Sequence, residues 1–229
     1  MPPWSADFDR SVFINCPFDS EFLPLAQALV FSILRVGLEP RIATERADSG
    51  ETRVQKIREL IESSRFSIHD LSRMEPLGPH DLPRFNMPFE LGLDLGCRYY
   101  GSSRCKDKLC LILEREQYRY QRVLSDISGN DIRAHQNDPE CLVRVVRNWF
   151  FVSLGGPLPS ASRLWEDYNL FQLDLKTSLE RLNFSDRDVL ALEMAEYIDS
   201  VKGWLSRGKR AASHERRHSA STPSKRKRR

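Results

Sequence analysis

The chain has 229 residues, 40% of them hydrophobic, which is room for one substantial domain with appendages. Its net charge of +3 conceals an asymmetry: from Arg207 onward ten Lys or Arg stand against one Glu, so a globule with 25 basic and 31 acidic residues carries a basic tail. The most apolar stretch, Phe22 to Leu34, contains Pro24 and Gln27 and falls short of the ~20 residues that cross a bilayer, so no membrane span is expected.

The start, MPPWSADFDR, lacks the basic-then-apolar order of an export signal, and a cytoplasmic location is the expectation. SVFIN (Ser11 to Asn15) predicts a strand, CPFDS a turn, and Glu21 to Val36 a buried helix stopped by Gly37. PRIAT (Pro40 to Thr44) predicts a second strand. TRVQKIRELIESS predicts a helix with Val54, Ile57, Leu60 and Ile61 on one face, and RFSIHDL a third strand. SRMEPLGPHDLPRFN, with three prolines and a glycine, predicts a long loop. A helix from Met87 to about Tyr100 follows, then KLCLILE (Lys108 to Glu114) as a strand buried on both faces, and a further short strand near Asp131. ECLVRVVRNWFFVSL closes the unit as a helix. Beyond GGPLP, Ser162 to Leu182 and Ser185 to Leu205 predict two amphipathic helices, Ser185 capping the second. The pattern predicts an α/β fold: a flavodoxin-like open parallel sheet of four to five strands with helices on both faces. Residues 1–10 form an extension, 11–154 the α/β domain, 160–206 a helical appendage and 207–229 a disordered basic tail.

Cys16, Cys97, Cys105, Cys110 and Cys141 are irregularly spaced, without CxxC pairs or histidines that complete a zinc site, and read as reduced, packed thiols with no metal implied. Neither GxxxxGK[ST] nor GxGxxG occurs, so ATP hydrolysis and dehydrogenase chemistry are unsupported, and no cofactor is expected. His69, inside a strand, reads as a hydrogen-bonded core residue. Tyr118 and Tyr120, interleaved with Arg115, Arg119 and Arg122, read as packing rather than a base-stacking platform.

Ligands of open parallel sheets bind beyond the carboxyl ends of the strands. Three polar clusters are predicted at that edge, and they supply the nucleotide-binding candidates Asn15, Pro17, Phe18, Asp19, Glu45, Asp48, Ser49 and Ser72, with Asn86 beside them. Glu90 is the catalytic candidate. Pro88 suits the first helical position, which sets Glu90 in the first turn, where unpaired N–H groups and the helix dipole favour its ionised form. Gly92 and Gly96 are expected to bare one helix face for close approach to the sheet.

VFINCPFD resembles the opening strand and turn of the nucleoside 2-deoxyribosyltransferases. SGETRVQKIRELIESSRFSIHDLSR is similar to a helix and strand of those enzymes and of TIR domains, and FELGLDLG resembles the Glu-x-Gly helix carrying the catalytic glutamate in both. FNMP stands where the deoxyribosyltransferases have Asp-Ser-Gly-Thr. The chain also resembles a bacterial family sharing the phrases FINCPFD, HDLSR and FNMPFELG. The resemblance spans Ser11 to Glu114, roughly half the chain.

It implies cleavage or transfer at an N-glycosidic bond of NAD or a nucleotide, with a role in bacterial defence and a homo-oligomer whose subunits complete each other's sites. Glu90 would stabilise the oxocarbenium-like transition state or attack it covalently. A nicotinamide leaving group is already cationic, whereas a neutral base needs a proton donor, for which Asp70 or Asp19 is the candidate. The alternative is a binding module that senses a nucleotide without turnover. The basic tail suggests a weak, salt-sensitive contact with nucleic acid.

Overall fold

The computed structural model describes residues 7–46, 48–74, 76 and 82–220. Five parallel strands form one sheet in the order β2-β1-β3-β4-β5. They are β1 Ser11–Asn15, β2 Glu39–Arg41, β3 Phe66–Asp70, β4 Leu109–Glu114 and β5 Arg133–Ala134. The helices are α1 Leu23–Arg35, α2 Arg53–Glu62, α3 Asn86–Tyr100, α4 Pro139–Leu154, α5 Ala161–Arg181, α6 Asp186–Leu190 and α7 Met194–Ala220. This strand order is that of the doubly wound flavodoxin-like sheets, and its direction of winding reverses between β1 and β3.

Alternation along the strands divides the core between two faces. Val12, Ile14, Phe66, Ile68, Leu111 and Leu113 pack in one cluster with α1 and α4. On the opposite face Phe13 meets Ile57, Leu60 and Ile61 of α2, while Ile112 meets Met87 and Leu91 of α3. Because helices cover both sides, β1 and β3 are buried at every residue, as a central parallel strand requires.

The late helices are part of the first face rather than a separate body. Phe31 of α1 stacks on Phe171 of α5 at 5.6 Å between ring centroids and meets Tyr168 at 5.5 Å and Trp204 of α7 at 6.0 Å. Tyr197 Oη donates to Gln27 O at 3.2 Å, and Arg35 pairs with Asp167 at 2.8 Å. Ser185 caps α6 through Asp188 N–H at 3.3 Å, as expected, but the helix predicted to follow it is broken at residues 191–193. The last helix continues to Ala220, past the expected onset of the disordered tail at Arg207, and 221–229 lie outside the described residues.

Other boundaries differ for local reasons. The second strand ends at Arg41 rather than Thr44, because Glu45 turns back to accept from Ile42 N–H at 3.2 Å and from the Arg41 guanidinium at 2.6 Å, closing a 3-10 turn. α3 begins at Asn86, so Pro88 is its third residue rather than its first. That position still needs no intrahelical N–H bond, so proline is tolerated. Within the long loop expected from Ser72 to Asn86, residues 75 and 77–81 lie outside the described ones. Among the described residues no helix is long and apolar enough to cross a membrane.

Candidate functional site

α3 turns two carboxylates toward the sheet, Glu90 and Asp94, one helical turn apart and both buried. Glu90 sits past the closed first turn, since Phe89 N–H already bonds Phe85 O at 3.2 Å. The expected dipole stabilisation of its anion is therefore not what governs it. Burial pushes its carboxyl above the ordinary range, against the opposing influence of Arg53, His69 and Asn86. Arg53 Nη2 lies 3.5 Å from Glu90 Oε1, with the arginine side chain 60% exposed and the glutamate 4%. A solvated guanidinium thus forms the lid over a nearly dry carboxyl.

Asp94 is equally buried but differently supplied. His69 Nε2 is 3.1 Å from its Oδ2, Lys108 Nζ is 3.0 Å from its Oδ1, and Ser67 Oγ donates to Oδ2. Burial alone would raise its pKa, yet these partners bring it down to about 2. Lys108, itself buried, completes its valence on Ile61 O at 2.8 Å and Ser64 O at 2.5 Å. His69 is the hydrogen-bonded core residue that its place in a strand predicts. Its Nδ1 is 3.0 Å from Asn15 Nδ2, which also donates to Met87 O at 2.8 Å and so ties the tip of β1 to the first turn of α3.

The other strand tips form a second network. Asp70 accepts from His135 Nε2 at 2.9 Å and from Ser72 N–H at 2.9 Å. Asn137 N–H donates to His135 Nδ1 at 3.1 Å, so the neutral ring carries its proton on Nε2. Ser72 Oγ lies 3.1 Å from that same nitrogen. A serine and an aspartate on one nitrogen do not make a nucleophile relay, which needs them on opposite nitrogens. Glu114, at the tip of β4, is pushed above the ordinary range by burial despite Arg119 at 2.9 Å.

Of the remaining sequence candidates, Asp19 is tied to Arg73 at 2.8 Å and to Phe22 N–H at 3.0 Å. Partial burial raises its carboxyl, but Arg73 and that N–H outweigh this and hold it below the usual range. Phe18 is 40% exposed and, with Asp19, Thr44 and Leu192, lines a hollow of about 220 Å³. Pro17 is buried, and Asn86 is exposed one turn before Glu90. Glu45 is spent on Arg41, and Asp48 closes its own turn by accepting Gly50 N–H at 2.8 Å, with Ser49 exposed beside it. Among the described residues none of these three hydrogen-bonds Glu90. Asn15, His69 and Glu90 are therefore brought together, whereas Asp70 and Ser72 belong to the neighbouring network. A second hollow of about 290 Å³, bounded by Phe22, Ser72, Arg73, Arg115 and Asn137, lies over that network.

Gly92 and Gly96 do not face the sheet as expected. A methyl group at either would meet no atom within 4 Å, and both line a groove of about 560 Å³ between α2 and the C-terminal half of α3. His69, Asp94 and Cys110 offer nitrogen, oxygen and sulfur atoms within 4.8 Å of one another, a donor set that could hold a cation. Lys108 already neutralises Asp94, however, and burial pushes the Cys110 thiol up to about 12, so a lysine and a proton hold the places a cation would take. The five cysteines are unpaired. Sequence reasoning missed Arg53, Asp94, Lys108 and His135; Arg53 and Asp94 lie within quoted motifs, but their partners are remote in the chain.

No protein-family model matches the chain, and no curated protein matches it.

Proposed function

We propose that the sheet edge where the tips of β1 and β3 meet the start of α3 binds the ribose of a nucleotide and that Glu90 promotes cleavage or transfer at its N-glycosidic bond. The observation that carries this reading is a buried carboxyl, raised in pKa, set where the winding of the sheet reverses and ion-paired to a solvated arginine. Positive charge developing on the anomeric carbon would meet a carboxylate whose ionised form burial disfavours, so stabilisation grows toward the transition state. The resemblance of FELGLDLG to the Glu-x-Gly helix of TIR domains and deoxyribosyltransferases points the same way, to a cytoplasmic enzyme acting in bacterial defence.

The leaving group follows from the neighbours. Asp19 is held ionised by Arg73, and both Asp70 oxygens accept hydrogen bonds, from His135 Nε2 and the Ser72 N–H, so neither carboxylate is free to serve a departing base. A leaving group that is already cationic, such as the pyridinium of NAD, needs no such proton. Incubating the protein with NAD and measuring nicotinamide release tests the reading: turnover is expected, and Glu90→Gln is expected to lower it at least a hundredfold. Release that survives this substitution unchanged would remove Glu90 from the mechanism.

A second reading, a module that binds a nucleotide without turnover, is favoured by the closure of the site, since Glu90 is only 3% exposed. Saturable NAD binding with no product would establish it.

A further inference from the structure

Asn15 ends β1 with both amide hydrogens committed, one to His69 Nδ1 at 3.0 Å and one to Met87 O at 2.8 Å. Its Oδ1 is buried and, among the described residues, has no hydrogen-bond partner. An orphaned acceptor in a residue only 2% exposed costs about 1–3 kcal/mol and calls for an explanation. Turning the amide over does not remove the cost. Met87 O can only accept, so an oxygen facing it would be repelled, and the nitrogen must stay where it is.

The orientation is enforced from behind. Asp94, ionised and anchored by Lys108 at 3.0 Å, accepts the Nε2 proton of His69 at 3.1 Å. With that proton on Nε2, the neutral ring offers a lone pair at Nδ1, which is what the Asn15 N–H needs. The chain Lys108, Asp94, His69, Asn15 therefore runs in one direction and ends in a free acceptor. Asn15 and Glu90 both lie beside this histidine. The unpartnered Asn15 oxygen and the Glu90 carboxylate beside that ring are both acceptors. A phosphate oxyanion has nothing to donate to them, whereas a sugar hydroxyl does.

We propose that Asn15 is a specificity-determining residue whose Oδ1 accepts a hydrogen bond from a ribose hydroxyl, and that His69 and Asp94 are positioning residues that fix its amide for that purpose. This rests on the reading of that sheet edge as a nucleotide site and adds which part of the nucleotide lies there. It leaves the phosphates to other residues.

Two measurements test it. Nitrogen-15 NMR of the imidazole is expected to show His69 as the neutral Nε2–H tautomer at pH 7 in the unliganded protein, with that preference weakened in Asp94→Asn. A ring protonated on Nδ1 would overturn the positioning chain without reference to any ligand. Binding of NAD is then compared with that of its analogue lacking the 2′ and 3′ hydroxyls on the nicotinamide ribose. The wild type is expected to bind the analogue at least tenfold more weakly, and Asn15→Leu to bind the two alike. Equal binding by the wild type, or discrimination that persists in Asn15→Leu, would overturn the hydroxyl assignment alone. Failure of both compounds to bind would overturn the nucleotide reading with it. Should Asn15→Leu fail to fold, Asp94→Asn serves in its place, with reduced discrimination expected and unchanged discrimination counting against the proposal.

Discussion

Glu90 and Asp94 are buried to a similar degree on the same helix face, yet their acidities move in opposite directions. Desolvation acts on both; the difference lies in how many cationic or donor groups surround each. Asp94, at about 2, is depressed relative to the unfolded chain, so it contributes stability above its unfolded value near 4 that is lost as pH falls toward 2. In denaturant melts Asp94→Asn is expected to flatten that acid limb, a loss on the order of 2 kcal/mol at pH 5 since each pKa unit is worth about 1.4 kcal/mol. Glu90 has the reverse sign. Its folded pKa is raised, so stability falls as pH climbs from the unfolded value through the folded one, and Glu90→Gln is expected to be at least as stable as the wild type at pH 7. In the proposed reaction, kcat/KM rises with pH through that same elevated value, and Arg53→Ala, by removing the nearby positive charge, moves the inflection higher. Glu90 was legible in the sequence because proline, glutamate and glycine crowd one short helix, and His69 because a histidine in a strand has to be bonded. Asp94, Lys108 and Arg53 were not, because their partners are remote in sequence and no local spacing announces them.

The glycines of α3 show how an element can be placed correctly and its faces misassigned. Spacing put Gly92 and Gly96 on one side of a helix, but it could not say which side the sheet would take. Buried Met87, Glu90, Leu91 and Asp94 decide it, and the glycines are left on the groove between α2 and α3. Since a methyl group meets nothing within 4 Å at either position, Gly92→Ala and Gly96→Ala are each expected to raise stability by about 0.5–1 kcal/mol, read by thermal unfolding. Gly37 is the contrast: with φ at +89° it ends α1 in a conformation that costs a side chain, and Gly37→Ala is expected to lower the melting temperature. The presence of the strands and most of the helices followed from periodicity. The ends of β2 and α3 did not, because Glu45 folding back on Ile42 and an α3 start at Phe85 without a side-chain cap leave no periodic signal.

At the scale of the whole molecule the two faces are unequal. α2 and α3 form a single layer, whereas α1 and α4 are themselves covered by α5 and α7 around Phe31. The amphipathic pattern of the late helices was plain in the sequence, but an apolar stripe does not name what it covers, and the contacts with Phe31, Gln27 and Arg35 of α1 do so. Phe31→Ala, which removes a fully buried ring shared by both layers, is expected to cost about 3–5 kcal/mol and to leave one cooperative transition rather than two, followed by calorimetry.

The margins of the sheet carry a last consequence. β2 spans Glu39–Arg41 and includes Pro40, β5 is the dipeptide Arg133–Ala134, and Lys202 of α7 reaches across to Glu39. Strands so brief, one of them lacking an amide hydrogen at its centre, offer little template for a foreign chain to add on by backbone pairing. At the β2 margin, growth by strand extension is therefore disfavoured from the outset.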